Sequence, residues 1–467
     1  MNVKQAIINL GAEALKVELP DGTDILTMGV PQVLQRPQAA VAAALAHPIA
    51  TPPLRSLLQE RLEQKPAARA VVVISDGTRP VPYRGEAGIL WPILQCLLDA
   101  GLPPERICVL VATGTHRPMR EDELRESLDP RLFSSGISIE NHDCRAEDLV
   151  RLGCTSRGSD IWINRRFMEA DIRILTGLVE SHFMAGVSGG RKAVCPGLIG
   201  EQSTYVFHGP EYLAAPEARD LVLKGNPCHE EAVEVARTAG VDFIVNVTLD
   251  HRFQPTGVFA GELEAAHERA VQELREFVTI PVDHRYDMVI THGGFVGINH
   301  YQAAKAGVTA ATLVRSKGRI VIVADNSDTD PVGSSTYRTL LHLLKLHGPQ
   351  AFLRLIRSPD WRFTAEQWQV QMWAKAMTQL SMDKWVYYSP QLQPRDYAVI
   401  PGRDGNSFLP VQRRYENRLQ TAAHVVERST KAFYTEWIDR WGSPPAVAFL
   451  ADGPYGIPEL NTQTGGL

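Results

Sequence analysis

The sequence lacks the features that mark secreted, membrane-spanning and zinc-ribbon proteins. None of its six cysteines forms a C-x-x-C pair, so neither a zinc ribbon nor a disulfide framework is predicted, and the thiols are expected to be reduced. No apolar run reaches the roughly 18 residues that a membrane-spanning helix needs, and the first residues have no signal-peptide core. We therefore expect a cytoplasmic protein without a membrane partner.

The charge of the chain and the absence of two motifs argue against further classes of protein. Lysine and arginine number 48 against 53 aspartates and glutamates, with no basic cluster, so no nucleic-acid partner is predicted. The P-loop motif is absent because Lys192 is followed by alanine, and there is no H-E-x-x-H helix of the zinc peptidase type. The composition does not indicate an oligomeric state.

A repeated order of strand, polar loop and helix predicts an α/β protein with mainly parallel sheets. Continuous apolar runs, typical of strands that are covered on both faces, occur at 70–74, 107–112 and 172–179, and each is followed by a polar loop. Because ligands bind beyond the carboxyl ends of such strands, we expect the three loops to meet at one site.

The length of 467 residues predicts two or three domains. We expect an N-terminal α/β domain over 1–278, beginning with a β-meander at 4–30, and a C-terminal α/β domain over 279–425. The remaining segment, 426–467, is expected to pack back on the N-terminal domain. Residues 280–286 are interpreted as a linker, and a cleft is expected between the two domains.

The loop after the third strand concentrates glycine and positive charge. Gly186, Gly189 and Gly190 would let the backbone approach a ligand closely, and Arg191 and Lys192 follow them at once. This combination suits an anion such as a phosphate. A turn with a solvated basic end is the simpler alternative.

Three histidines accompany these loops. His182 and His208 flank the glycine-rich loop, and His116 lies in the loop after the second strand. Imidazoles beside a lysine and a glycine loop can serve a phosphorylated cofactor, a metal or both. A zinc-dependent hydrolase built on the three histidines is one alternative, although the sequence has no positioned carboxylate ligand for it. His116 could also simply cap its helix.

Five motifs occur in a fixed order along the chain. They are D-G-T-R-P (76–80), G-T-H-R-P (114–118), H-F-M-A-G-V-S-G-G-R-K-A-V-C-P-G (182–197), N-P-C-H-E (226–230) and Y-Q-A-A-K (301–305). Together they resemble the nickel-dependent lactate racemase family, over about residues 70–380. The resemblance implies a racemase or epimerase of 2-hydroxy acids that uses a nickel-pincer nucleotide, a pyridinium mononucleotide holding nickel through one carbon and two sulfurs.

The resemblance also implies a role for individual residues. Lys192 would tether the nucleotide, and His208 would complete the nickel sphere. His116 and His182 would act as alternating acid and base while the C2 hydride moves to the pyridinium ring and back. The implied cofactor-binding positions are Asp76, Thr78, Arg79, Gly189, Gly190, Arg191 and Lys192. The implied substrate-binding positions are Arg79, Tyr301, Gln302, Lys305 and Trp368.

The residue types suit these roles chemically. A flat donor set of two sulfurs and a carbon with one imidazole gives the square-planar field that Ni(II) accepts. Imidazole is poised near neutral pH, and the planar fork of Arg79 matches a carboxylate. Asp76 could orient either Arg79 or a histidine. Lys192 could instead be a phosphate-binding lysine, and Trp368 an ordinary core residue of a helix.

The substrate stays open between lactate and a larger 2-hydroxy acid, such as an aldonate epimerised at C2. Residues 326–335 and 348–364 differ from what a lactate enzyme leads us to expect, and they fall where the C3 end of the substrate would project. A non-catalytic carrier of the nickel nucleotide is a further alternative, against which the two candidate catalytic histidines argue. Cofactor-synthesis enzymes are implied partners.

Overall fold

The computed structural model describes residues 3–461, which form two compact units. We call Val30–Phe277 the central unit, and residues 3–29 together with 278–461 the terminal unit. The prediction that residues 1–278 form one domain is therefore corrected for residues 3–29. The predicted packing of residues 426–467 on the N-terminal domain is also corrected, since residues 426–461 belong to the terminal unit, and the rest of that segment lies outside the described residues.

The described residues contain strands, α-helices and short 3-10 helices. The strands are β1 (Val3–Leu10), β2 (Glu13–Pro20), β3 (Thr23–Leu26), β4 (Ala70–Ser75), β5 (Ile107–Ala112), β6 (Ser138–Asn141), β7 (Val150–Cys154), β8 (Asp160–Ile163), β9 (Ile172–Leu178), β10 (Ser181–His182), β11 (Gly186–Val187), β12 (Phe243–Leu249), β13 (Pro255–Gly261), β14 (Thr279–Val282), β15 (Tyr286–His292), β16 (Val314–Val323), β17 (Trp385–Tyr388), β18 (Arg403–Asp404), β19 (Val447–Leu450) and β20 (Ile457–Leu460). The α-helices are α1 (Pro37–Ala46), α2 (Leu54–Gln64), α3 (Leu90–Asp99), α4 (Glu121–Ser127), α5 (Arg165–Glu169), α6 (Glu201–Phe207), α7 (Pro210–Ala214), α8 (Pro227–Ala239), α9 (Leu263–Val278), α10 (His300–Ala311), α11 (Ser335–His347), α12 (Pro349–Leu355), α13 (Gln367–Met377), α14 (Pro394–Tyr397) and α15 (Thr421–Trp441). The 3-10 helices are Pro104–Arg106, Pro130–Ser134, Gly190–Ala193, Met382–Lys384, Gly405–Phe408 and Val411–Arg413.

The central unit is organised by a sheet of six strands in the order β13-β12-β9-β4-β5-β6. All neighbouring pairs are parallel except β12 with β13. Strand β4 is buried along almost its whole length and consists largely of valine and isoleucine, which pack well in a sheet covered on both faces. The predicted parallel α/β architecture is confirmed.

Helix α8 shows how local sequence defines an element of this unit. The Asn226 side chain accepts a hydrogen bond from the backbone N–H of Cys228 at 3.0 Å, and Pro227 occupies the first helical position. The helix ends at Gly240, whose φ of 78° is the left-handed conformation that favours glycine. The cap, the first proline and the terminal glycine together fix the bounds of this helix.

The terminal unit is organised by a second sheet of six strands, all parallel, in the order β18-β17-β16-β15-β19-β3. Helices α10 to α13 contribute to the core on one face of this sheet. On the other face, β1, β2 and α15 bury their apolar side chains against β15 and β16. This packing explains why the first strands belong to the terminal unit.

Three local predictions about the terminal unit are wrong. Only β1 and β2 form an antiparallel hairpin, whereas β3 pairs in parallel with β19, so residues 4–30 are not a meander. The predicted linker 280–286 overlaps β14, which pairs with β20, and ends on the first residue of β15. The apolar pattern at 397–400 predicts a strand, but Tyr397 is the last residue of α14, a short helix with Pro394 at its first position, and residues 398–400 form a turn.

None of the helices within residues 3–461 has the length and apolar character needed to cross a membrane.

Candidate active site

The three polar loops of the central unit follow three neighbouring strands. Strand β4 lies between β9 and β5 and is parallel to both. The loops that follow these strands therefore leave the sheet at the same edge, the usual place for a ligand in such a sheet. Within this region the structure brings most of the candidate residues of the central unit together.

His116 is held by a buried carboxylate. Its Nδ1 lies 2.7 Å from Oδ2 of Asp76, and Oδ1 of Asp76 accepts a hydrogen bond from the Thr78 hydroxyl at 2.6 Å. Burial opposes ionisation of Asp76, but the hydrogen bonds from His116 and Thr78 outweigh it and lower the pKa of the carboxyl group. Asp76 thus orients a histidine rather than Arg79, with Nδ1–H of His116 as the donor.

Arg79 forms an ion pair with a residue that the sequence did not single out. Its Nε lies 3.1 Å from Oε1 of Glu180, and its Nη1 donates to the carbonyl oxygen of Thr78 at 3.1 Å. Both charged side chains are about one-third exposed or less, at 27% for Arg79 and 31% for Glu180. Arg79, the candidate residue for binding a substrate carboxylate, is therefore already held by contacts within the protein.

His182 lies on a small hairpin formed by β10 and β11, in which it pairs with Gly186. Its Nδ1 accepts from the backbone N–H groups of Met184 at 3.3 Å and Ala185 at 3.2 Å. A neutral imidazole whose Nδ1 accepts hydrogen bonds carries its proton on Nε2. That Nε2 lies 3.1 Å from Nζ of Lys192.

Lys192 lies in the 3-10 helix Gly190–Ala193 that follows the glycines. Burial, followed by the positive charges of Arg79 and Arg191, lowers the pKa of its amine to about 7. The ammonium form is thus disfavoured, and the amine can accept the hydrogen bond from His182. A neutral, partly buried amine is the form of lysine that acts as a nucleophile.

Arg191 is buried inside the glycine-rich loop. Its side chain is only 1% exposed, and its guanidinium donates to the carbonyl oxygens of Ala185, Ser188 and Gly189. It also contacts Nε2 of His267 at 2.9 Å. The guanidinium thus holds the loop from inside, and the assignment of Arg191 to the cofactor stays a prediction.

The loop glycines are required by the protein's own packing. Gly189 and Gly190 have φ values of 75° and 52°, in the left-handed region. A Cβ at Gly189 would lie 2.8 Å from Val179, and one at Gly190 would lie 2.9 Å from the ring of His267. Close approach to a ligand, the predicted reason for these glycines, is not needed to explain them.

His208 follows the last residue of α6, and its ring packs edge-on against Phe207 with 4.8 Å between centroids. Burial, together with the nearby charges of Lys192 and His116, lowers the pKa of His208 to about 3. The imidazole is therefore neutral at neutral pH, which is the form that binds metals.

Within residues 3–461, no group of three or more His, Cys, Asp or Glu side chains is arranged to hold a metal ion. His116, His182 and His208 therefore do not form a ready-made group of metal ligands in this part of the chain. A nickel site of the kind that the family resemblance implies requires only one imidazole from the protein, because the nucleotide supplies the remaining donors.

The other candidate residues lie in the terminal unit. Tyr301, Gln302 and Lys305 are on α10, and Trp368 on α13 donates from Nε1 to the Tyr301 hydroxyl at 2.8 Å. Phe363 stacks on Trp368 with 6.0 Å between ring centroids. Tyr301 and Trp368 thus form one aromatic group, and Trp368 is 8% exposed.

Sequence reasoning missed two residues that shape the site. Glu180 pairs with Arg79, and Ser188 ties the two ends of the hairpin together, as its hydroxyl donates to the Leu178 carbonyl at 2.7 Å. Glu180 could have been found from its place between strand β9 and His182, at the carboxyl end of a strand where ligands usually bind. No comparable signal marks Ser188.

Comparison with known proteins identifies relatives over most of the chain. The family described as the lactate racemase N-terminal domain matches residues 10–220. The lactate racemase of Lactiplantibacillus plantarum is 33% identical over 342 residues, covering 73% of this chain and 77% of that protein. The lactate racemase of Thermoanaerobacterium thermosaccharolyticum is 29% identical over 376 residues, covering 79% of this chain and 85% of that protein.

Solved structures agree with these relatives. The lactate racemase apoprotein from Thermoanaerobacterium thermosaccharolyticum has a TM-score of 0.77 at 25% identity, covering 98% of this chain and 100% of that chain. A Thermotoga maritima protein shares the fold, with a TM-score of 0.56 at 16% identity, covering 88% of this chain and 100% of that chain. The chain belongs to the lactate racemase family, and it is an enzyme of the isomerase class.

Proposed function

We propose that the protein is a racemase of lactate or of a larger 2-hydroxy acid, and that it uses a nickel-pincer nucleotide tethered to Lys192. Membership of the lactate racemase family supports the reaction class. The observation that carries the assignment of the site is the 3.1 Å contact between Nζ of Lys192 and Nε2 of His182. This contact joins the proposed tether to a proposed acid or base.

The residues present fit the proposed cofactor chemically. Lys192, with its pKa lowered to about 7, offers a neutral amine for a covalent bond to the nucleotide. His208, with its pKa lowered to about 3, offers a neutral imidazole as the protein's ligand to nickel. When bound, the nucleotide supplies a reversible acceptor for the hydride on C2 of the substrate.

The two proposed catalytic histidines begin in complementary states. His116 donates from Nδ1 to Asp76, so its Nε2 has a lone pair and can take the proton of the 2-hydroxyl group. His182 accepts at Nδ1, so its Nε2 carries a proton that it can donate. Racemisation needs proton transfer for both enantiomers, and one imidazole of each kind meets this requirement.

The carboxylate of the substrate requires a cation. Arg79 is the proposed partner, because a guanidinium binds a carboxylate through two parallel hydrogen bonds. Tyr301, Gln302, Lys305 and Trp368 remain proposed substrate-binding residues of the terminal unit. Phe363 stacks on Trp368, which is one of these proposed substrate-binding residues. Acids with a side chain larger than that of lactate are therefore tested as well.

The test is a racemisation assay on protein loaded with the nucleotide. Single enantiomers of short, aromatic and polyhydroxylated 2-hydroxy acids are incubated with the enzyme, and the products are separated by chiral chromatography. We expect racemisation or C2 epimerisation of at least one acid. Exchange of the C2 hydrogen with solvent should be slow relative to turnover, because the same hydride is returned to the substrate. An active protein whose Lys192 has an unmodified mass would contradict the tether.

Substitution of the histidines separates the enzyme from a carrier of the nucleotide. His116→Asn and His182→Asn should each lower kcat by about 10²-fold or more, the usual contribution of a general acid or base. Loading of Lys192, measured by intact mass, should persist in His116→Asn. Full turnover in both variants would refute the proposed acid and base roles.

A further inference from the structure

The ion pair between Arg79 and Glu180 links two parts of the candidate site that are distant in sequence. Arg79 belongs to the loop after β4, and Glu180 precedes the hairpin that carries His182. Its Oε1 lies 3.1 Å from Nε of Arg79. No role for Glu180 follows from the reaction itself, since it is neither an acid nor a base in the proposed chemistry.

The backbone at Glu180 is rigidly held. Its N–H donates to the Ser188 hydroxyl at 3.0 Å, and its carbonyl oxygen accepts from the Ser188 backbone N–H at 2.9 Å. Ser188 is 3% exposed and also binds the Leu178 carbonyl. The carboxylate of Glu180 therefore projects from a fixed point at the base of the hairpin.

Glu180 directly precedes strand β10, whose second residue is His182, and continued extended backbone places both side chains on one side. Glu180 contacts Arg79 and His182 contacts Lys192, and Arg79 lies close enough to Lys192 for its charge to lower the pKa of that amine. One short segment thus sets the separation between a candidate carboxylate-binding group and a candidate acid or base.

Arg79 keeps donors for a ligand while it is held in this way. Glu180 engages Nε, and the Thr78 carbonyl engages Nη1. A guanidinium has five N–H donors, so Nη1 and Nη2 retain hydrogens that can bind a carboxylate. The two protein contacts restrict rotation of the guanidinium but do not use all of its N–H donors.

We propose that Glu180 is a positioning residue, which fixes Arg79 relative to His182 so that a carboxylate bound to Arg79 presents its 2-hydroxyl group to the imidazole. This inference rests on the proposed function and adds to it a residue that acts through Arg79 and not on the substrate itself.

The variant Glu180→Gln removes the charge and keeps the size of the side chain. We expect KM for the 2-hydroxy acid to rise about tenfold, because Arg79 loses its orientation, and kcat to fall at least about threefold, because the 2-hydroxyl group is no longer held at the imidazole. The inhibition constant of oxalate, a carboxylate that cannot react, should rise by the same factor. KM for the uncharged 2-hydroxy amide should stay unchanged, and Glu180→Asp should restore part of the affinity.

Glu140→Gln is the matched control, since Glu140 forms a similar ion pair with Arg166 at 3.0 Å on the surface of the same unit. It should leave both constants unchanged. In an Arg79→Lys background, Glu180→Gln should have little further effect, because the two residues act as one unit. Thermal unfolding and the mass of Lys192 report whether each variant is folded and loaded.

Two results would overturn the inference. A lower KM in Glu180→Gln would mean that Glu180 competes with the substrate for Arg79, and unchanged constants would mean that the ion pair has no positioning role. If the proposed function itself were wrong, the result would be different. The wild type and Glu140→Gln would then both be inactive towards every 2-hydroxy acid.

Discussion

Nζ of Lys192 and Nε2 of His182 are 3.1 Å apart. Because Nδ1 of His182 accepts from backbone N–H groups, Nε2 is the donor in this pair, and Nζ must offer its lone pair. The hydrogen bond is thus consistent with a neutral amine, the same state that burial favours for Lys192. The geometry and the electrostatics of the loop lead to the same chemical state.

Lys192 should react as an amine near neutral pH in protein that lacks the nucleotide. Acetic anhydride acylates an amine only in its neutral form. The acetylation rate of Lys192, followed by peptide mass spectrometry, should rise with pH and level off with a midpoint at about 7. The direction follows from the lowered pKa, since the amine is protonated below the midpoint and neutral above it.

Arg79→Met provides the control for this measurement. The charge of Arg79 is the second cause of the lowered pKa, after burial, so its removal should move the midpoint upward. Arg166→Met removes a surface charge of the same unit and should leave the midpoint in place. A midpoint near the ordinary lysine value of about 10.4 in the wild type would show that the amine is not neutralised by its surroundings.

Asp76→Asn should disable His116 without unfolding the protein. The amide cannot act as the anionic acceptor that holds Nδ1–H of His116, so the lone pair on Nε2 is no longer ensured. We expect kcat for racemisation to fall about 10²- to 10³-fold, within the usual range for a general base. The mass of Lys192 should still show the loaded form.

Thr78→Val is the matched control for Asp76→Asn. It removes the hydroxyl that donates to Oδ1 of Asp76 at 2.6 Å but leaves the carboxylate in place. A decrease of about tenfold or less is expected, as for the loss of one hydrogen bond to a charged group. If Thr78→Val were as damaging as Asp76→Asn, the carboxylate would not be the main support of His116.

Local sequence patterns were sufficient to predict the strands that are buried along their length. Strand β5 has the predicted bounds because each of its residues is apolar or β-branched, and the loops after β4, β5 and β9 were expected at one edge of the sheet. Pairing between distant segments was not accessible in this way. Strand β3 pairs with β19, more than 400 residues later, and no local pattern encodes that partner.

The direction in which a side chain points was the second feature that the sequence did not predict. Arg191 and Lys192 are adjacent and basic, so sequence reasoning assigned both to an anion or a cofactor. In the structure the guanidinium of Arg191 turns inward to three loop carbonyls, while Nζ of Lys192 contacts His182. Such a division depends on loop φ values, which Gly189 and Gly190 set and which residue type alone does not reveal.

Gly190→Ala should destabilise the loop that carries Lys192. The change forces a left-handed φ of 52° on alanine and places its Cβ 2.9 Å from the ring of His267. We expect a loss of about 2–4 kcal/mol in the free energy of unfolding, from backbone strain and overpacking together. Gly77→Ala is the control, because its Cβ would meet only Met119 at 3.7 Å, and its unfolding midpoint should match the wild type.

The hydrogen bond from Trp368 to Tyr301 should contribute measurably to the stability of the terminal unit. Trp368→Phe and Tyr301→Phe each remove one partner of the 2.8 Å bond, and each should lower the free energy of unfolding by about 1–2 kcal/mol in urea titrations. Because both changes break the same bond, the double variant should lose about 1 kcal/mol less than the sum of the single variants. Trp385→Phe is the control, since its indole N–H donates to the Leu380 carbonyl instead, and its effect should add to that of Tyr301→Phe. Additive losses for Trp368→Phe and Tyr301→Phe would instead show that the two side chains stabilise the unit independently.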